Sequence, residues 1–177
     1  MEKIKFGILI RGPVASGKTT LVRRLLHALG STGWRMGIVH GDYMSLVIYG
    51  ASFDDNHLSL KYDNVTALIH NICHYGYNII IDDLVRRDKD LKRIREAVLK
   101  SAEIFVDISL DAPFKILLNR QQSRDSSDFV GLQKAKRFYR QALFVSYRPN
   151  LKLNTHRLSE QQCLDRILKF LKFHAIH

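Results

Sequence analysis

Short apolar runs alternate with amphipathic stretches along nearly the whole chain, and this alternation predicts strands separated by helices. Ile4 to Ile10 is mostly apolar, the composition of a strand buried on both faces of a parallel sheet. Leu21, Val22, Leu25, Leu26 and Leu29 then recur at i, i+1, i+4, i+5 and i+8, the stripe of an amphipathic helix that Gly30 is placed to stop. Met36 to His40 reads as a second strand ending at Gly41-Asp42-Tyr43, and the segment from there to Phe53 fits neither period. Asp54 or Asp55 can cap a helix carrying Val65, Leu68, Ile69, Ile72 and Cys73, with its stop near Gly76. Tyr77 to Asp83 is a third strand, apolar and β-branched, ending in two carboxylates. Leu91, Ile94, Val98 and Leu99 mark a further helix, and Ile104 to Ile108 a fourth strand. Asp111-Ala112-Pro113 opens the next helix, with Asp111 as cap and Pro113 preset for the first turn, running toward Arg120 and Arg124. A basic helical segment from about Gly131 to Ser146, a short strand at Leu151 to Asn154 and a terminal helix with a Ser159–Gln162 capping box complete the chain.

Strands joined through helices imply right-handed crossovers and a parallel sheet covered on both faces. The expected fold is therefore α/β, a three-layer α/β/α sandwich around a five-stranded parallel sheet, in one domain spanning 1–177. With 46% hydrophobic and 25% charged residues the chain can bury one core. No apolar run approaches the ~18–20 residues of a membrane span. The stretch ending at Ile10 is too short for a signal-peptide core and lacks a cleavage site, so a cytoplasmic protein is expected. Cys73 and Cys163 each fall on an apolar helical stripe, which suggests neither a disulfide nor a metal cluster.

The chemistry concentrates where the first strand meets the first helix. Gly12-Pro13-Val14-Ala15-Ser16-Gly17-Lys18-Thr19 satisfies G-x-x-x-x-G-K-[ST], and it stands in the strand–loop–helix context that a phosphate-binding loop requires. Loop amides and the helix dipole converge there on one anion, Lys18 can reach the outer phosphates and Thr19 can ligate Mg²⁺. In open α/β sheets the ligand lies beyond the carboxyl ends of the strands, which nominates Asp42, Asp82 and Asp83. Asp82, preferred over Asp83, has the place of the carboxylate that holds Mg²⁺ directly or through water. Asp42 can orient or deprotonate an attacking hydroxyl. Arg120 and Arg124, at i and i+4, can set two guanidiniums over one face for bidentate phosphate contacts and for charge on the transferring group. Arg86 and Arg87 follow the third strand and read chiefly as solvated surface, with contact to an anionic acceptor as the other option. His70 and His74 share a spacing compatible with zinc but lack a glutamate between them and a third ligand, so they read as structural.

A net charge of +11 is concentrated between Lys115 and Lys152, where nine cations meet only Asp125 and Asp128. Phosphate-clamping arginines, a nucleic-acid footprint or a basic soluble surface each account for it.

Taken together, these residues resemble the phosphate-loop small-molecule kinases, the group containing adenylylsulfate kinase, gluconate kinase, chloramphenicol phosphotransferase, the zeta toxins and the polynucleotide 5′-hydroxyl kinases. The landmarks are Gly12 to Thr20, Gly41-Asp42, Ile79 to Asp83, Ile104 to Pro113, and Arg120 with Arg124. The resemblance implies a strand order 2-3-1-4-5, ATP and Mg²⁺ as cofactors, nucleotide contacts through Thr20 and Arg120, a lid near 120–130, adenine near Asn154 to Arg157, and Asp42 as the acceptor-side base. The expected activity is transfer of the γ-phosphoryl group of ATP to a hydroxyl of a small molecule, anionic in one version. A polynucleotide or nucleotide kinase and a non-enzymatic ATP-binding regulator are the alternatives. His40 stands where adenylylsulfate kinases carry Asp, which argues against sulfate activation, and no Asn-Lys-x-Asp motif is present for guanine.

Overall fold

Every residue of β1, Phe6–Arg11, is buried, as its apolar run requires of a strand with layers on both sides. The computed structural model describes residues 4–45, 54–123 and 131–173. Helix α1, Lys18–Ser31, buries Leu21, Val22, Leu25 and Leu29. It runs past Gly30 and closes at Gly33, where the amides of Gly33 and Trp34 reach back to the carbonyls of Gly30 and Leu29. After β2, Met36–His40, a single helical turn, α2, Gly41–Met44, stands where neither period is evident in the sequence. Helix α3, Asp55–His74, is capped by the Asp54 carboxylate, which accepts the His57 amide at 2.9 Å.

Strand β3, Asn78–Asp83, and helix α4, Asp88–Leu99, follow as expected. Strand β4, Ile104–Asp111, extends beyond its apolar run because Ser109, Leu110 and Asp111 go on pairing with neighbouring strands. Asp111 is consequently a strand residue, ion-paired with Lys152 at 3.3 Å, and Pro113 takes the N-cap position of α5, Phe114–Gln122, without a side-chain bond. Helix α6 is Leu132–Leu143, β5 is Leu151–Asn154 and α7 is Glu160–Phe173. The reciprocal Ser159–Gln162 cap forms, with amide-to-side-chain distances of 2.9 and 3.2 Å.

All strand pairs are parallel, in the order β2-β3-β1-β4-β5. Side chains alternate between two cores. Phe6, Ile8 and Ile10 pack with α1 and α7 on one face; Leu9, Ile79 and Ile81 pack with α3 and α4 on the other. Because the strands share one direction, the loop after β1, Asp42 after β2, the last residues of β3 and the turn after β5 all meet at one edge.

Candidate active site

Backbone geometry makes the loop concave. Gly12 has φ +150°, and a Cβ there would lie 2.4 Å from the Leu110 carbonyl oxygen, so only glycine lets β1 turn this tightly against β4. Ala15 and Gly17 also have positive φ, and the Ser16 amide closes a turn on the Pro13 carbonyl. Lys18 Nζ donates to the Gly12 and Pro13 carbonyls at 3.1 and 3.2 Å, folded over the mouth of its own loop. Ser16 Oγ is buried with no hydrogen-bond partner among the described residues.

Across the loop, Thr19 Oγ1 donates to Asp82 Oδ2 at 2.8 Å. The other carboxylate oxygen of Asp82 is buried with no hydrogen-bond partner among the described residues, and His40 Nδ1 lies 3.3 Å from Oδ2. A hydroxyl and a carboxylate in contact, one oxygen still unsatisfied, form a donor set suited to a hard cation such as Mg²⁺. Thr19 and Asp82 would hold it. Asp83, one residue on, faces the opposite way, as alternation along a strand dictates.

Asp83 is fully buried and takes the Lys61 ammonium at 2.6 Å. The same ammonium lies 3.4 Å from Asp42, whose side chain is 53% exposed. Gly41 makes this triad geometrically feasible: a Cβ there would come within 2.8 Å of the Asp83 carboxyl carbon. Burial pushes the Asp83 carboxyl up, the neighbouring Asp42 adding to the effect and Lys61 opposing it. For Asp42 the desolvation that would raise its pKa is outweighed by Lys61 and Lys18, which hold it below the ordinary carboxylate value. Burial pulls the Lys61 ammonium down, but Asp83 and Asp42 together hold it above the usual lysine value. Beside them Tyr62 Oη is buried with no hydrogen-bond partner among the described residues, and burial, with the nearby Asp83 carboxylate, raises its pKa well above the phenol value.

Arg120 stands beside the loop. Its guanidinium donates to Thr155 Oγ1 at 3.1 Å and to the Thr155 carbonyl at 2.6 Å, tying α5 to the turn after β5. There it lines a cavity of about 340 Å³ with Ala15, Ser16, Gly17, Thr20 and Thr155. Arg124, most of the expected lid and residues 46–53 lie outside the described residues. Arg87 is committed to Asp90 through a two-point contact at 2.6 and 2.8 Å, and also meets Asp55; Arg86 is not bound in this way. Lys61 is the residue of this cluster that sequence reasoning passes over. Its signal was a cation at position i+3 of the stripe Leu58, Tyr62, Val65, Ile69, a place where lysine needs a buried partner.

The sequence model of the AAA_33 family, an AAA domain, matches residues 8–143. No curated protein sequence matches the chain. Among solved structures, the Mycobacterium tuberculosis APS kinase CysC in complex with AMPPNP and APS superimposes with a TM-score of 0.74 at 11% identity, covering 97% of this chain and 99% of that one. A gluconokinase from Sinorhizobium meliloti 1021 gives 0.69 at 12%, with 98% and 95% covered. A sugar kinase from Janibacter sp. HTCC2649 gives 0.68 at 16%, with 96% and 95% covered. At such identities the likeness establishes the fold, and it is the fold of the suspected group.

Proposed function

Because the chain belongs to the AAA_33 family of AAA domains, we propose that it is an ATP-dependent phosphotransferase that moves the γ-phosphoryl group to a hydroxyl of a small molecule. The observation that carries this reading is the 2.8 Å contact between Thr19 and Asp82 across a loop that Lys18 closes. A triphosphate in the loop would meet the loop amides and, once Lys18 leaves its two carbonyls, an ammonium at the β- and γ-phosphates. Mg²⁺, bound by Thr19 and Asp82, would neutralise charge on the phosphate oxygens. The cavity beside Arg120 and Thr155 is placed to take the nucleoside end.

On the other side of the loop, Asp42 is exposed, ionised and held by Lys61, which suits a base for the acceptor. As the acceptor oxygen bonds to the γ-phosphorus, the bond from that phosphorus to the β–γ bridging oxygen breaks. ADP leaves with the bridging oxygen, and the hydroxyl proton passes to the Asp42 carboxylate. Positioning and electrostatic stabilisation supply most of the rate in such chemistry. Acceptor-stimulated ADP release, screened over a hydroxyl-compound library, tests the reading: one or more acceptors should raise ADP release in the wild type, and Lys18→Ala should abolish that turnover while keeping the wild-type fold by circular dichroism. Undiminished turnover in Lys18→Ala, or nucleotide binding without any stimulating acceptor, would sink it.

A further inference from the structure

Three cations meet around the ring of Phe138. The Arg86 guanidinium carbon lies 5.0 Å from the ring centroid, that of Arg137 5.6 Å and the Lys134 ammonium 5.8 Å. Arg86 comes from the turn after β3, whereas Lys134 and Arg137 come from α6, so two elements remote in sequence deliver charge to one spot. Ordinary helix-surface solvation does not explain the convergence. Phe138 is buried, Arg86 is half-buried, and the residue that aims it, Val85, has φ +37°, a conformation that a β-branched residue adopts only under strain.

Arg86 and Arg137 have no hydrogen bond and no ion pair to another group among the described residues. A ring face attracts a guanidinium without neutralising it, so among the described residues the N–H donors of both arginines remain available. Arg86 is also near enough to Lys61 for its charge to oppose that ammonium, and Lys61 in turn holds Asp42. The opposite flank of α6 borders the phosphate loop, with Ala135 and Tyr139 lining a small cavity together with Pro13 and Val14. The cations therefore stand on the β3 side of the loop, while the Arg120 cavity stands on the β5 side.

We propose that Arg86 and Arg137 form a recognition site for a phosphate group carried by the acceptor. Two guanidiniums can each grip a phosphate through paired N–H bonds, and two positive charges match a dianion better than a single carboxylate. This inference rests on the phosphotransferase reading and sharpens it: the acceptor is a phosphorylated hydroxyl compound, oriented by its existing phosphate with a free hydroxyl toward Asp42.

With the loop filled by AMPPNP and Mg²⁺, inorganic phosphate is titrated into the protein by calorimetry. The expected result is saturable one-to-one binding, weakened at least tenfold in Arg86→Ala and in Arg137→Ala, with AMPPNP affinity unchanged in both. Absence of phosphate binding, an unchanged affinity in both variants, or a parallel loss of AMPPNP affinity would overturn the proposal. A 5′-hydroxyl hexathymidylate that binds more than tenfold tighter than phosphate, with a salt slope of several phosphates, would overturn it as well, assigning the cations to a polynucleotide strand. If the protein does not bind AMPPNP at all, the phosphotransferase reading fails instead, and the phosphate titration on Lys18→Ala protein still reads the arginine site.

Discussion

Replacing Lys61 with methionine removes the ammonium that Asp83 and Asp42 share, at nearly constant side-chain volume. Lys61 is 1% exposed and Asp83 0%, separated by 2.6 Å. Two unit charges at that distance attract by about 6 kcal/mol at an effective dielectric of about 20. The desolvation of an ion costs several kcal/mol, so part of the attraction is offset, and loss of one partner of a buried pair costs ~3–5 kcal/mol. Asp83 can escape part of that cost by taking a proton. Its folded-state pKa is already raised by burial and rises further without Lys61. A carboxyl whose folded pKa exceeds its unfolded value of about 3.9 contributes stability that is present below about 3.9 and lost as pH rises through the folded value. The deficit of Lys61→Met should therefore widen with pH. Urea unfolding should give a loss of about 3–5 kcal/mol at pH 8, about 10 °C in Tm for a chain of this size, and a distinctly smaller loss at pH 5. The double variant Lys61→Met/Asp83→Leu should recover most of it, since apolar replacement of a whole buried pair is close to neutral. A deficit below about 1 kcal/mol at pH 8, or one independent of pH, would refute the charge argument.

Asp42→Asn should lower kcat by roughly 10²–10⁴-fold, the usual worth of a positioned base, with AMPPNP affinity unchanged. Because Lys61 and Lys18 hold Asp42 below the ordinary value, its acid limb in wild-type kcat should lie below about pH 4; a limb near pH 6 that disappears in Asp42→Asn would contradict this. Asp82→Asn keeps a group to meet Thr19 but removes the charge, so AMPPNP should raise Tm equally with Mg²⁺ and with EDTA. A Mg²⁺ increment equal to that of the wild type would take Asp82 out of the metal site.

Much of the fold and the loop is legible in the sequence because local chemistry imposes both. Apolar runs with β-branched residues can only be covered strands here, and Leu21 to Leu29 can only pack one face of a helix. The elements misread were those governed by neighbours rather than by their own pattern. β4 continues to Asp111 because Arg11 and the β5 backbone pair with it, and Pro113 then begins α5 without the expected cap. Arg120 and Arg124 look alike in the sequence. In the structure Arg120 turns to Thr155, a residue 35 positions away whose role no spacing rule announces.

The sequence by itself determines the phosphate loop, the succession of strands and helices, and hence that Asp42, Asp82 and Asp83 lie along one edge. The octet is contiguous, and parallel strands linked by helices must end on the same side. Only the tertiary structure decides which carboxylate does what. Adjacent residues of a strand face opposite ways, so Asp82 meets Thr19 while Asp83 is turned to Lys61, and a helix register 22 residues upstream sets that second partner. The charge state of Asp42 follows from the same placement, because a pKa depends on distances through space and not along the chain.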